Sequence, residues 1–294
     1  MTTSNRPIRL LFAAILLWPL CQNPAHADPV LDAVKGIEQE LEARVGFFMH
    51  DLETGEALDY RADHRFPLNS VFKLFACGAL LAQVDNGEST LGDAVDVRDY
   101  PVVPWSPAVK ESIGAGRFDV TLGAACGMML SVSDNTAANI VLAEIGGPEG
   151  FTVFMRSIGD DVTRLDRWET ELNEGLPGDP RDTTTPRAIG DSLRKLLLGD
   201  VLSPPSRTML REWLSRHSVA DDLFRAALPP AWSIDDRTGA GGHGSRAIVA
   251  IMYPPNREPV IAALFMRDTR ADLARRNKAA ARVGAEIVMR VETD

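Results

Sequence analysis

Apolar residues recur at Val30, Val34, Ile37 and Leu41, a spacing that predicts an amphipathic helix near the start of the globular chain. Residues 44–50 and 56–60 then read as two strands, joined by the turn Leu52-Glu53-Thr54-Gly55. From 70 to about 218 the pattern turns helical, with helices expected at 70–84, 121–132, 135–145 and 186–198. The third is stopped by Gly146-Gly147-Pro148 and the fourth is opened by Pro186. No strand is convincing in that stretch. Strands return at 233–236, 247–253 and 260–266, and a long helix from about 272 to 291 closes the chain. Because strands occur only toward the two ends, those ends must build one sheet together. The expected fold class is α+β: an antiparallel sheet flanked by N- and C-terminal helices, with an inserted all-α domain. The α/β domain then comprises 28–66 and 221–294, the helical one 67–220, and a cleft at their junction is the default site. Residues 164–185 form a polar stretch of Gly, Pro, Asp and Asn, and so long a connection inside a compact domain is usually functional.

Ahead of all this, Arg6 and Arg9 precede an apolar run over 10–20 and the small-x-small triplet Ala25-His26-Ala27, the pattern of a secretory signal peptide over 1–27. The run is too short to cross about 30 Å of hydrocarbon, so export is expected rather than anchoring. The mature protein is then periplasmic or secreted, with no membrane association after cleavage. The formal charge of −10, with 31 Lys and Arg against 41 Asp and Glu, becomes −12 once the two leader cations are removed. No Lys/Arg block offers a footprint for nucleic acid. A small molecule is the expected partner, and nothing calls for an obligate interface, so a monomer is expected. Cys21 leaves with the leader, which keeps Cys77 and Cys126: a disulfide in an oxidising compartment, or else two buried thiols. His26, His50, His64, His217 and His243 lack metal-ligand spacing, and no glycine-rich loop leads from a strand into a helix, so neither a metal nor a cofactor is expected.

Three short stretches carry candidate chemistry. Ser70-Val71-Phe72-Lys73 opens a predicted helix, placing a hydroxyl near its positive end and an amine three residues later on the same face. A lysine of depressed pKa can take a serine proton, although an N-cap serine beside a surface lysine has the same spacing. Ser133-Asp134-Asn135 lies between two helices, where its residues serve either as caps or as a proton-relaying hydroxyl and a carbonyl-holding amide. Arg237-Thr238-Gly239 ends a predicted strand, and the backbone N–H of the following Ala240 pairs with that of Ser70 as a candidate oxyanion hole. The plain alternative for Arg237 is a solvated cation at a strand end.

In this order and on these elements, the three stretches resemble the active-site motifs of class A serine β-lactamases. Arg167-Trp168-Glu169-Thr170-Glu171-Leu172-Asn173 resembles that family's omega loop, and Arg181-Asp182-Thr183-Thr184 ends it as the family does. The resemblance covers essentially the whole mature chain. It implies Ser70 as the acylated nucleophile, Lys73 and Glu169 as the acylation base system, Ser133 as proton shuttle, and Glu169 with Asn173 as the residues that position a hydrolytic water. Asn135, Arg237, Thr238, Gly239 and Arg246 are then substrate-binding, with Arg246 similar to the family's second carboxylate-binding cation. Cys77 and Cys126 occupy the positions of the disulfide found in some members. Trp105, in Pro104-Trp105-Ser106-Pro107, is either an aromatic wall for substrate or a core tryptophan.

Two positions depart from the common pattern. Arg237 stands where lysine is usual, which keeps the charge but practically excludes proton transfer, and its planar fork suits a carboxylate. This resembles the carbenicillin-hydrolysing branch, and implies penicillins and carboxypenicillins as best substrates. Thr170 stands where many members carry a proline joined by a cis bond. That bond is far costlier before threonine, so the loop either holds it or takes another path. The rival readings are a penicillin-sensitive D,D-peptidase, against which Glu169 argues, and a non-catalytic penicillin-binding sensor domain.

Overall fold

The computed structural model describes residues 1–2, 28–215 and 219–293. Nearly all of the expected signal peptide, with Cys21 and His26, therefore lies outside the described residues, as does His217.

Helix α1 (Pro29–Glu40) starts where Asp28 accepts a hydrogen bond from Val30 N at 2.9 Å, with proline at the first helical position. Strands β1 (Arg44–Asp51) and β2 (Ala57–Tyr60) follow, and β7 (Ser233–Ala240), β8 (Arg246–Tyr253), β9 (Val260–Arg267) and helix α9 (Leu273–Thr293) close the chain. The five strands form one sheet in the order β2-β1-β9-β8-β7, antiparallel throughout. The join between the chain's ends is the β1–β9 pairing, in register from Arg44↔Arg267 to Asp51↔Val260.

Alternation along the central strands gives each sheet face its own core. Val45, Phe47, Met49, Ile248, Ala250, Leu264 and Met266 pack with Val34 and Ile37 of α1 and Val283 and Ile287 of α9. Ala247, Val249, Ile251, Ala263 and Phe265 pack on the opposite side with residues of the helical part. With both faces covered, β8 and β9 read as nearly unbroken apolar runs.

In the helical part, α2 (Phe72–Asp85) is buried at every residue from Phe72 to Leu81. A helix that is apolar all round belongs at the centre, with others wrapped about it. Those include α4 (Leu122–Ser131), α5 (Asn135–Glu144) and α7 (Pro186–Leu198), all anticipated from the pattern. Three more were not: α3 (Pro107–Gly114), α6 (Gly147–Ser157) and α8 (Pro204–Ser215). Each begins at or beside a proline, a residue that stops a helix but equally well starts one. Gly146-Gly147-Pro148 ends α5 and opens α6, with Gly146 at φ +89°.

Two further expectations need correction. The segment read as free of strands holds β4 (Ala94–Asp96) paired with β5 (Asp119–Thr121), and β6 (Thr183–Thr184) paired with β3 (Phe66–Pro67). At two or three residues these are too short to show alternation. The strand expected at 233–236 continues to Ala240, so Arg237-Thr238-Gly239 lies within β7, in register with β8 through Ala240↔Arg246. Cys77 of α2 and Cys126 of α4 form a disulfide, which removes the alternative of free thiols.

Candidate active site

The Ser70 backbone is held in a single 3-10 turn, Asn69–Val71, immediately ahead of α2. Asn69 adopts φ +45°, a left-handed conformation that asparagine tolerates better than most residues. Ser133 likewise sits at φ +61° in the tight connection between α4 and α5. Asp134 fixes that connection: its carboxylate accepts from Ala137 N at 2.9 Å, and from Ala108 N and Val109 N at 2.9 and 3.0 Å. One buried side chain thus caps α5 and α3 together.

These turns bring the candidate residues to one place. The Ser133 hydroxyl donates to Ser70 Oγ at 3.1 Å, and Lys73 Nζ donates to Ser133 Oγ at 3.3 Å, to the Ser133 carbonyl at 2.8 Å and to Asn135 Oδ1 at 2.5 Å. Lys73 Nζ also lies 3.2 Å from Glu169 Oε1. Lys73 is fully buried, so the surface-lysine reading does not hold. Burial, reinforced by the nearby charge of Arg237, pulls its amine down from 10.5 to about 8, against the opposing pull of Glu169.

Glu169, 2% exposed, reaches this cluster from the 164–185 loop. The Glu169–Thr170 peptide is cis, so the loop keeps that path without proline. Asn173 Nδ2 donates to Glu169 Oε2, and Asn139 clamps the main chain by accepting from Glu169 N and donating to Glu169 O, both at 3.0 Å. Asn139 was not singled out from the sequence. An asparagine inside a helix, where it is intrinsically disfavoured, is the signal that would have found it. Arg167 and Asp182 pair at the base of the loop. Asp182 is buried, accepts from Arg167 Nε at 2.6 Å, and also accepts from Asp166 N and Arg167 N. Its carboxylate therefore ties down the start of the loop.

Arg237 is no solvated cation: it is fully buried. Its Nε donates to Ser70 O at 3.0 Å, Nη1 to Leu130 O at 2.8 Å and Nη2 to Ser133 Oγ at 2.7 Å. Three of the five guanidinium N–H groups are thus committed to protein, and the fork holds the Ser70–Ser133 pair rather than facing the cleft as expected for a carboxylate clamp. Burial lowers its pKa to about 10, which still leaves it charged at neutral pH. Thr238 Oγ1 donates to Ala247 O at 2.7 Å. Arg246 donates from Nε to Asn277 Oδ1 at 2.8 Å and from Nη1 to Gly239 O at 3.2 Å, and burial with the neighbouring Arg276 charge lowers it to about 10. Trp105 is 66% exposed with its indole N–H on Val132 O, so the core-tryptophan alternative is wrong. Its loop is seated by Asn135, which donates from Nδ2 to Pro104 O at 2.8 Å and from N to Trp105 O at 3.0 Å. Among the described residues no cluster of His, Cys, Asp or Glu is placed to hold a metal, and no helix is long and apolar enough to cross a membrane.

A serine linked through a second hydroxyl to a buried lysine, itself beside a buried carboxylate, is an arrangement chemically able to activate a nucleophile, as a serine hydrolase requires. Comparison with known proteins then identifies the family. The chain matches the model of the beta-lactamase enzyme family over residues 29–291. It is 49% identical over 255 residues to beta-lactamase AER-1 of Aeromonas hydrophila, covering 87% of this chain and 83% of that protein. Among solved structures, the chromosome-encoded beta-lactamase of Vibrio parahaemolyticus superposes with a TM-score of 0.85 at 41% identity, over 90% of this chain and all of that one. An ancestral class A beta-lactamase gives a TM-score of 0.84 at 41% identity, over 89% and 99% of the two chains. The chain belongs to the β-lactamase family, and is a class A enzyme of α+β fold that hydrolyses β-lactams.

Proposed function

We propose that this enzyme opens penicillins, carboxypenicillins included, through an acyl-enzyme on Ser70, and that it does so as a monomer in the periplasm after loss of the leader. The observation that carries the reading is the continuous link from Ser70 Oγ through Ser133 Oγ to Lys73 Nζ and on to Glu169. The Ser70 proton passes into the Lys73–Glu169 base system as Oγ attacks the β-lactam carbonyl. The N–H groups of Ser70 and Ala240 take the developing oxyanion. The Ser133 hydroxyl, which accepts from both Lys73 and Arg237, donates its proton to the leaving ring nitrogen and recovers one from the base system. Glu169, oriented by Asn173, then deprotonates the water that cleaves the ester. The buried Oδ1 of Asn173 accepts no protein hydrogen bond and Glu169 Oε1 is met by the Lys73 ammonium at 3.2 Å, which leaves both oxygens with capacity for a water donor. Asn135 and Trp105 border the substrate's acyl side chain. Arg246, beside Thr238 and Gly239, supplies the cation for its ring carboxylate. Arg237 keeps the Ser133 hydroxyl charged-assisted and aimed.

Purified protein mixed with a chromogenic cephalosporin should give many turnovers; a single stoichiometric burst would instead support the peptidase or sensor readings. Across a panel, carbenicillin and benzylpenicillin should be hydrolysed faster than third-generation cephalosporins, and the reverse order would remove the carbenicillin branch. The lowered Lys73 pKa supplies a pH test. Below about 8 the amine is mostly charged and cannot accept a proton, whereas above it the neutral form dominates. If Lys73 is the acylation base, acylation of Glu169→Gln protein rises with pH and levels off. The inflection falls at or below about 8, because removing the Glu169 charge lowers Lys73 further. A flat stopped-flow profile would place the base elsewhere.

A further inference from the structure

We propose that Asn69 and Ser245 form a buried latch that sets the spacing of the oxyanion-hole donors, making both residues positioning residues for acyl transfer. The proposal rests on the role given above to Ser70, whose N–H supplies one of those donors.

Asn69 is the residue before the nucleophile, and Ser245 is the residue before Arg246; their exposures are 0% and 1%. Asn69 Nδ2 donates to Ser245 Oγ at 3.1 Å, and the Ser245 hydroxyl points back to Asn69 Oδ1 at 3.4 Å. Two polar side chains this deeply buried are costly unless they satisfy one another, so the pair resists separation. Against this pair lie the end of β7 and the turn that follows it. A Cβ on Gly239 would lie 2.9 Å from both Ser70 N and Asn69 Cβ, and one on Gly241 would lie 2.2 Å from Asn69 Oδ1. The strand that carries Ala240 is therefore pressed against the nucleophile turn, with the asparagine side chain filling the space behind it.

Ser245 is tied in turn to the surrounding elements. Its carbonyl accepts from Gly241 N at 3.3 Å and from Arg276 Nη1 at 2.9 Å, and its N–H donates to Gly242 O at 3.0 Å. Gly242 N donates to the Asn173 carbonyl at 2.8 Å. The latch thus couples the nucleophile turn, the β7–β8 connection and the residue that orients Glu169. Neither side chain has a proton-transfer role in the proposed reaction. What they supply is the distance between the Ser70 and Ala240 N–H groups, and oxyanion stabilisation is steeply sensitive to donor placement.

The test compares wild type with Ser245→Ala, Ser245→Thr, Asn69→Gly, which keeps the left-handed backbone, and the double variant Asn69→Gly/Ser245→Ala. Benzylpenicillin is the substrate, and a boronic acid that forms a tetrahedral adduct on Ser70 is the probe. Expected are losses of about tenfold in kcat/KM for Ser245→Ala and Asn69→Gly, carried by kcat rather than KM, with equal weakening of the boronic acid. The double variant should be no worse than the poorer single, and Ser245→Thr should restore both readouts. Changes within about twofold in both readouts for Ser245→Ala would overturn the latch even if its melting temperature fell. So would a loss of kcat/KM unaccompanied by weaker boronic acid binding. Should Asn69→Gly fail to fold, the two serine variants carry the comparison alone. Mass analysis of Glu169→Ala protein mixed with benzylpenicillin separates the levels of inference: with an acyl-enzyme on Ser70 present, a negative result removes the latch only, and without one the proposed mechanism falls with it.

Discussion

Glu169→Ala protein mixed with a penicillin should gain the mass of one intact antibiotic on Ser70 and hold it, while steady-state turnover falls by about a hundred- to ten-thousandfold. The acyl transfer that loads the serine adds the whole ligand without losing an atom, because the leaving nitrogen remains tethered through the opened ring. Loading needs a base near Ser70, and Lys73 remains. Removing the Glu169 carboxylate takes away the charge that raises the lysine's pKa, so more of the amine becomes neutral. Unloading is different, because water must be deprotonated beside the ester. Glu169 is a buried carboxylate 3.2 Å from Lys73, oriented by Asn173 and clamped through its main chain by Asn139. Recovery of unmodified protein together with continued turnover would remove Glu169 from deacylation.

The second large effect is expected at Arg237. Alanine there leaves Ser70 O, Leu130 O and Ser133 Oγ without their charged donor, and kcat/KM toward penicillins should fall by about a hundredfold. Stability should fall as well, since the buried Leu130 carbonyl and two part-buried acceptors lose a charged donor. Arg237→Lys discriminates charge from geometry. An ammonium keeps the positive charge next to Ser133, but as a point donor it does not reproduce three bonds spread over a rigid fork. The lysine variant should therefore fold with near-normal stability and show an intermediate loss, concentrated in kcat. If it matched wild type on carbenicillin as well as benzylpenicillin, fork geometry would have no part in the reaction.

Much of the site was legible because its chemistry is written in short motifs whose residues serve one another at close sequence spacing. Ser70 and Lys73 are three apart across the start of α2 and meet through Ser133, and Asn173 donates to Glu169 four residues back in the loop. Asn139 and Asp134 were harder. Their roles, holding the Glu169 main chain and capping α3, involve partners 30 and 25–26 residues away, and an asparagine or aspartate carries no mark of which distant backbone it will meet. Arg237 illustrates the other limit: its residue type suggested a fork for a substrate carboxylate, but neighbours contributed by the Ser70 turn, α4 and the Ser133 turn turned it inward. The short helices α3, α6 and α8 and the paired strands β3 to β6 were missed because a few residues show no period, and proline marks a helix start as readily as a stop.

By itself, the sequence determined the class of fold, the joining of both chain ends in one sheet and the candidate residues Ser70, Lys73, Ser133 and Glu169 that the fold gathers, since periodicity and motif spacing are local properties. Only the tertiary structure decided which way Arg237 faces, that Trp105 lies outside the core, that Cys77 meets Cys126, and that Asn69 closes on Ser245 from 176 residues away. Those outcomes depend on which surfaces become buried against one another, and burial is settled by the packing of the whole chain rather than by any segment of it.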